Sequence, residues 1–527
     1  MLRAVADRDA YANLLLPSLL TERGITGRDA AFATELTYGT LRGQGTYDAI
    51  IAACSDRDQL DQPVRDVLRL GAHQLLATRI GSHAAVATSV DLAKDVCGPR
   101  PSGFVNAVLR RVASRDLDAW ITLVAPDRSQ DETGHLSIRH SYPRWIVDSF
   151  REALANPPLP PPAPLPPLPP AEPPAPADPR PTAEAPSELD QALAAGNVRP
   201  EVVLTLLPPP PLSPTSSVSM APSILLERVD GAIETLRGAE RTRWSPFGVR
   251  LTGGGDPAAL IATGRAAAQD EASQLAALAL SQVPLTGSDH LWLDVCAGPG
   301  GKARLLAYLA AERDARLVAG ELRPHRAKRV REALQRAPQP TPTSALATAT
   351  ATGAVTTTRA TTAGTVRAAT TTDVTSGAAG AGVVVADARQ APWRAAAFDR
   401  VLADVPCSGL GSLRRRPEAR WRKSPADIPE LAALQRELLD SAIDSARPGG
   451  VVAYVTCSPH LAETYDVVTA VLGSRTDVSV LDAPAILAEA VPAGIPALPT
   501  PRDTRFAQFW PHRHGTDAIF LALLRRE

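Results

Sequence analysis

The stretch Leu291-Trp292-Leu293-Asp294-Val295-Cys296-Ala297-Gly298-Pro299-Gly300-Gly301-Lys302 decides the fold class. An apolar run of strand length ends in an acid. It passes into a turn of small residues, and helix-forming sequence opens near Ala303. Small residues let a backbone approach a ligand closely, and a helix N-terminus favours a negative group. Phosphate binding is the usual rival reading of such a loop. The G-x-x-x-x-G-K-[ST] pattern is missing, because Ala303 follows Lys302, and so is the G-x-G-x-x-G spacing.

Downstream the same design repeats. Leu317-Val318-Ala319-Gly320-Glu321, Val383-Val384-Val385-Ala386-Asp387, Val401-Leu402-Ala403-Asp404 and Val451-Val452-Ala453-Tyr454-Val455-Thr456 are short apolar runs separated by helical stretches. Buried strands alternating with helices predict an α/β domain with a mostly parallel, Rossmann-like sheet covered on both faces. Ligands bind such sheets beyond the carboxyl ends of the strands. Glu321 at one strand end suits the two hydroxyls of a ribose, and Asp387 at another suits an adenine amino group. With the glycine loop at 296–302 they describe a pocket for an adenosine bearing an amino-acid tail, which is S-adenosylmethionine (SAM).

The fourth and fifth strands run into Asp404-Val405-Pro406-Cys407-Ser408-Gly409 and Thr456-Cys457-Ser458-Pro459. Cysteine is by default a small buried hydrophobe, and Cys54 and Cys97 fit that role. Cys407 and Cys457 sit instead in loops on the ligand face, where reactive thiols belong. The five cysteines include no C-x-x-C pair. Neither a disulfide framework nor a metal site is predicted, and the chain reads as cytoplasmic. Arg3, Asp7, Arg8 and Asp9 interrupt any leader pattern, and no uncharged run is long enough to span a bilayer.

Upstream of the sheet the pattern is helical. Val64, Val67, Leu68, Gly71 and Leu75 share one helix face, as do Val105, Val108, Leu109 and Val112. Three segments are too poor in bulky apolar residues to build a core: Pro157 to Pro186, Pro208 to Pro222 and Thr341 to Gly382. They read as linkers or insertions. The predicted organisation has an all-α domain at 1–125 and a linker with a small subdomain at 126–265, which the family resemblance given below implies binds RNA. The catalytic domain occupies 266–527, with an insertion at about 338–382. The net charge of −1 means that nucleic-acid affinity must come from local basic patches.

The segments D-V-C-A-G-P-G-G-K, D-V-P-C-S-G-L-G and Y-V-T-C-S-P resemble the motifs of the RsmB/Sun (Fmu) family of RNA cytosine-5 methyltransferases. Gln269-Asp270-Glu271-Ala272-Ser273-Gln274 and Arg513-His514-Gly515-Thr516-Asp517 add to the match. Leu70-Gly71-Ala72-His73-Gln74-Leu75-Leu76 and the segment from Gly103 to Arg110 resemble the NusB-like domain that precedes the catalytic part in that family. The resemblance implies that Cys457 attacks C6 of a cytosine and that Cys407 assists proton removal and release. It implies that Asp404 holds the base, that Lys302 steadies the loops, and that Cys296, Ala297, Gly298, Pro299, Gly300, Gly301 and Lys302 line the SAM site with Glu321, Asp387 and Asp404. Gly298, Ala303, Val405 and Thr464 depart from the family's common residues without removing a functional group.

The implied partner is RNA, with 16S ribosomal RNA expected and the chain expected to be a monomer. Transfer RNA or large-subunit RNA stays open as an alternative substrate, and a non-enzymatic NusB-like binding or antitermination factor as an alternative class. Arg199 and the cluster Arg414, Arg415, Arg416, Arg420, Arg422 and Lys423, which adjoins Cys407, are the candidate phosphate contacts.

Overall fold

The helical face of Val64, Val67 and Leu68 and that of Val105, Val108, Leu109 and Val112 are buried against each other in the computed structural model. The structure describes residues 1–8, 11–57, 59–155, 186–207, 229–230, 233, 238–251, 261–262, 264–337, 381–491 and 494–527. The Pro-rich and Thr/Ala-rich segments singled out above lie almost wholly outside these residues.

The N-terminal part contains α1 (Leu2–Arg8), α2 (Ala12–Glu22), α3 (Gly27–Arg42), α4 (Gln44–Cys54), α5 (Gln62–Ala77), α6 (Ser82–Cys97), α7 (Ser102–Val112) and α8 (Leu117–Val124). Gly71 of α5 permits their close packing: a Cβ there would lie 2.7 Å from Leu109 of α7 and 3.0 Å from Ser89 of α6. Then follow α9 (Glu132–His140), α10 (Arg144–Leu154) and α11 (Glu188–Ala195). Leu136, Tyr142, Ile146, Phe150, Leu189 and Leu193 of this region share a core with Leu410, Leu413 and Trp510 of the C-terminal part. The helical region is therefore docked on the catalytic region through apolar contact.

A small antiparallel sheet of β1 (Val203–Leu206), β2 (Ala239–Arg241), β3 (Gly248–Leu251) and β4 (Ala266–Ala268), in the order β2-β3-β1-β4, joins the two parts. The sequence reading expected a small subdomain here but no particular strands.

The large sheet is built from β5 (Leu291–Asp294), β6 (Arg316–Glu321), β7 (Ala381–Val385), β8 (Phe398–Asp404), β9 (Ala446–Thr456), β10 (Val478–Leu481) and β12 (Phe520–Arg526), with the short β11 (Ala507–Gln508) beside β12. Its order is β10-β12-β9-β8-β5-β6-β7, parallel from β7 through β9 and antiparallel beyond. All five expected strands are present. Helices α12 (Glu271–Gln282), α13 (Gly301–Ala311) and α14 (Pro324–Arg336) cover one face. Helices α15 (Ile428–Ser445) and α16 (Tyr465–Ser474) cover the other. Two further helices, α17 (Ala483–Ala490) and α18 (Pro511–His514), complete the chain.

The chain leaves β5 toward β6 and β7, then crosses back to β8 on the other side of β5. This reversal opens a crevice at the carboxyl ends of β5 and β8, the position where such sheets bind ligands. Among the described residues, no helix is long and apolar enough to cross a membrane.

Candidate active site

The loop after β5 turns into α13 at Gly300, whose φ of +113° is a conformation that side chains disfavour. A Cβ there would also meet Ala333 at 2.9 Å, so the loop lies close on α14. Gly298 is equally constrained. A Cβ on it would fall 2.0 Å from Glu321 Oε2 and 2.9 Å from Arg326 Nε. Arg326 braces this corner, donating from Nη2 to the Gly298 carbonyl at 2.6 Å and standing 3.6 Å from Glu321. Glu321 Oε1 accepts the Arg323 N–H at 2.9 Å.

Asp294, the last residue of β5, is buried. Its Oδ1 accepts the Cys296 N–H, while its buried Oδ2 has no hydrogen-bond partner among the described residues. Burial, reinforced by nearby Asp404, pushes this carboxyl up to about 8. Burial, with Asp294 and Asp404 nearby, pushes the Cys296 thiol well above its ordinary value. Asp387 follows β7 and faces Arg389 through a two-pronged ion pair, with distances of 3.0 and 2.7 Å. That hydrogen bonding lowers its carboxyl below the usual range.

Cys407 and Cys457 follow adjacent parallel strands, and their sulfurs are 3.2 Å apart. Lys302 Nζ lies 2.9 Å from Asp404 Oδ2 beside them. Burial disfavours the Lys302 charge, yet Asp404 outweighs it and raises the ammonium above its usual value. The two thiols are unequal. The hydrogen bond with Cys407 lowers Cys457, and Lys302 and Arg416 add to this against burial and Asp404. The same hydrogen bond, burial and the charges of Cys457 and Glu463 push Cys407 well above its ordinary value. The hydrogen bond between the sulfurs thus shifts the two thiols in opposite directions.

Glu463, six residues beyond Cys457, had no role in the sequence reading. It is fully buried and accepts from the Ser408 N–H at 2.7 Å, the Ser408 hydroxyl, the Ser458 hydroxyl at 2.7 Å and Gln435 Nε2 at 3.1 Å. Gln435 also donates to the Pro406 carbonyl at 2.9 Å. The available signal was an acid in the short turn ahead of α16, and only folding brings it to the cysteine loops.

The arginine cluster requires a correction. Arg414 and Arg420 are buried. Arg414 donates to Asp517 at 2.5 Å and Asp270 at 2.9 Å, and Arg415 binds the same two acids at 2.9 and 2.7 Å. Arg420 donates to the carbonyls of Ser141 and Gly196 and to the Tyr142 hydroxyl at 3.0–3.1 Å, and its guanidinium stacks 3.8 Å from the Tyr142 ring. Arg422 donates to the Val5 carbonyl at 3.1 Å. Arg414 and Arg420 are thus buried within the protein and do not face a phosphate, while Arg415 and Arg422, partly exposed, are tied to its acids and carbonyls. The physical reason is a set of acids and carbonyls distant in sequence. Arg416 and Arg199 are exposed, and Lys423 is half-buried. Trp421, 39% exposed, leans on Gly45 of α4, where a Cβ would come within 2.6 Å of its ring.

Comparison with known proteins agrees with this architecture. Residues 283–357 and 343–525 match the model of the 16S rRNA methyltransferase RsmB/F family, and residues 1–114 match the NusB family. A Mycobacterium tuberculosis protein described as a methyltransferase, Rv1407, is 42% identical over 100% of this chain and 94% of its own length. The ribosomal RNA small subunit methyltransferase B of Pseudomonas syringae is 28% identical over 91% of this chain and 87% of its own. The crystal structure of PH0851 shares the fold, with a TM-score of 0.64 at 20% identity over 98% of this chain and 96% of that one. The chain belongs to the RsmB/F methyltransferase family and carries a NusB-family domain at its N-terminus.

Proposed function

We propose that this protein is a cytoplasmic, monomeric enzyme that methylates carbon 5 of a cytosine in 16S ribosomal RNA, using SAM, with Cys457 as nucleophile. The observation that carries the reading is the sulfur pair at 3.2 Å beside the Lys302–Asp404 ion pair. Carbon 5 of cytosine is a poor nucleophile, so a thiolate must first add to C6; methyl transfer to oxygen or nitrogen needs no such pair. Relatives named small-subunit methyltransferase B support the RNA class.

The residues present fit SAM. The glycines at 298 and 300 bring Glu321 and α14 directly against the loop backbone, Glu321 suits hydroxyls, and the buried Asp294 Oδ2, without a hydrogen-bond partner among the described residues, is a polar atom that a ligand would satisfy. Residues 296–302, Glu321, Asp387 and Asp404 would hold it. When bound, it supplies an electrophilic methyl group.

The protein's own steps follow from the pair. Cys457 sulfur bonds to C6, and the electron pair of the C5–C6 double bond moves to C5, which takes the methyl group. Asp404, anchored by Lys302, holds the base edge. Cys407, having first released its own proton to solvent, takes the C5 proton; the electrons of the C5–H bond re-form the C5–C6 double bond, the sulfur–C6 bond breaks, and the Cys457 thiolate is restored. Because the base must leave any stack to reach Cys457, a loop or locally opened RNA is the expected target.

The test is nucleoside analysis of unmethylated 16S RNA after incubation with the protein and SAM, with transfer RNA in parallel. 5-Methylcytidine in 16S RNA supports the reading. 5-Methylcytidine in transfer RNA alone overturns the substrate, and methyl groups on any other atom overturn the chemistry.

A further inference from the structure

We propose that Glu463 is a positioning residue that makes the two cysteines chemically unequal. The proposal rests on the covalent reading above and deepens it. Both cysteines are of one residue type, both follow a parallel strand, and both precede a serine. Something outside the pair must decide which sulfur carries the proton. Glu463 is the group that touches both loops: one carboxylate oxygen accepts the N–H of the residue after Cys407, and the other accepts hydroxyls from the residues after Cys407 and after Cys457. Its burial keeps this clamp dry, where hydrogen bonds and charge act most strongly.

The clamp is asymmetric. Glu463 binds the Cys407 loop twice, through backbone and side chain, and the Cys457 loop once. The cations face the other way: Lys302 from α13 and Arg416 from the loop after Cys407 act on Cys457. Asp404 at the end of β8 opposes them there, and Tyr454 of β9 lies near Cys407 with its hydroxyl donating to the Glu463 carbonyl at 2.7 Å. The Glu463 carboxylate on the Cys407 side and the Lys302–Asp404 ion pair on the Cys457 side give the two sulfurs different surroundings, and the proposal is that this difference puts the shared proton on Cys407. The fixed loops keep the sulfurs close enough to share it.

Glu463→Gln separates charge from shape. The amide keeps an acceptor for the Ser408 N–H and offers a donor to the serine hydroxyls, which can reverse their roles. The test is competitive iodoacetamide alkylation of full-length protein across pH, with the modified sites quantified by mass spectrometry. In the wild type Cys457 is modified first. In Glu463→Gln the Cys457:Cys407 ratio is expected to fall by about tenfold, because the thiolate is the reacting species. A folded Glu463→Gln protein with the wild-type ratio and pH profile overturns the proposal.

Ser458→Ala provides a second route, removing one hydrogen bond while keeping the charge. It is expected to slow single-turnover methyl transfer severalfold with the KM for SAM unchanged; a wild-type rate counts against the clamp. Alkylation needs neither RNA nor SAM, so its outcome is separate from the methylation reading, which normal turnover by Cys457→Ala would end on its own.

Discussion

The glycine-rich loop at 296–302 and the arginine-rich loop at 414–423 each stand out in the sequence as a binding element, but their side chains have opposite fates. The first is shaped by what it lacks: Gly298 and Gly300 carry no side chain, so Glu321 and α14 pack directly on the loop backbone. The second is filled by its own side chains. Arg414 and Arg415 are neutralised by Asp270 and Asp517, and Arg420 is sealed between Ser141, Tyr142 and Gly196. A missing side chain reads directly from sequence, because nothing distant can restore it. A charge does not, because its partner can come from anywhere in the chain.

This contrast can be broken most severely at the chemistry between the loops. Cys457→Ala is expected to lower methyl transfer by several orders of magnitude, as loss of a covalent nucleophile does, while thermal unfolding stays near the wild type. Arg420→Met addresses the arginine loop. It removes a buried guanidinium and leaves its carbonyl acceptors unpaired, so denaturant unfolding should show a loss of roughly 3 kcal/mol. Little effect on stability, with a large fall in RNA affinity, would return Arg420 to the phosphate contacts.

Gly298→Ala addresses the glycine loop. The added methyl must displace Glu321, and the KM for SAM is expected to rise by about tenfold, equivalent to about 1.4 kcal/mol. The smallest effect belongs to Arg416→Ala, on the exposed side of the same arginine loop. Weaker binding by a few-fold is expected, with the slope of log affinity against log salt reduced by about 1. Arg414→Ala should instead lower stability, which would sharpen the distinction between neighbours in sequence.

The parallel sheet was legible because buried strands write themselves as apolar runs ending in acids, and β5 begins and ends where the sequence placed it. The amphipathic faces of α5 and α7 were legible for the same reason. The cysteine loops were legible as strand ends. Glu463 was not, since its meaning lies in four hydrogen bonds to residues that only folding brings near. Asp270 and Asp517 lay in segments that resembled the family, but nothing local marks an acid as the partner of an arginine more than a hundred residues away. The apolar contact of α9–α11 with Leu410 and Leu413 was hidden likewise, because periodicity shows that a face is buried and not against what.

The central claim is that Cys457 and Cys407 divide one reaction between them. The most direct measurement is incubation of wild-type and Cys407→Ala protein with labelled-methyl SAM and unmethylated 16S RNA, resolved on a denaturing gel. The account predicts a labelled protein–RNA band in Cys407→Ala, because the bond to C6 forms and resolves poorly, and its loss when Cys457→Ala is added. Normal release of methylated RNA by Cys407→Ala, or a band that survives Cys457→Ala, would contradict it.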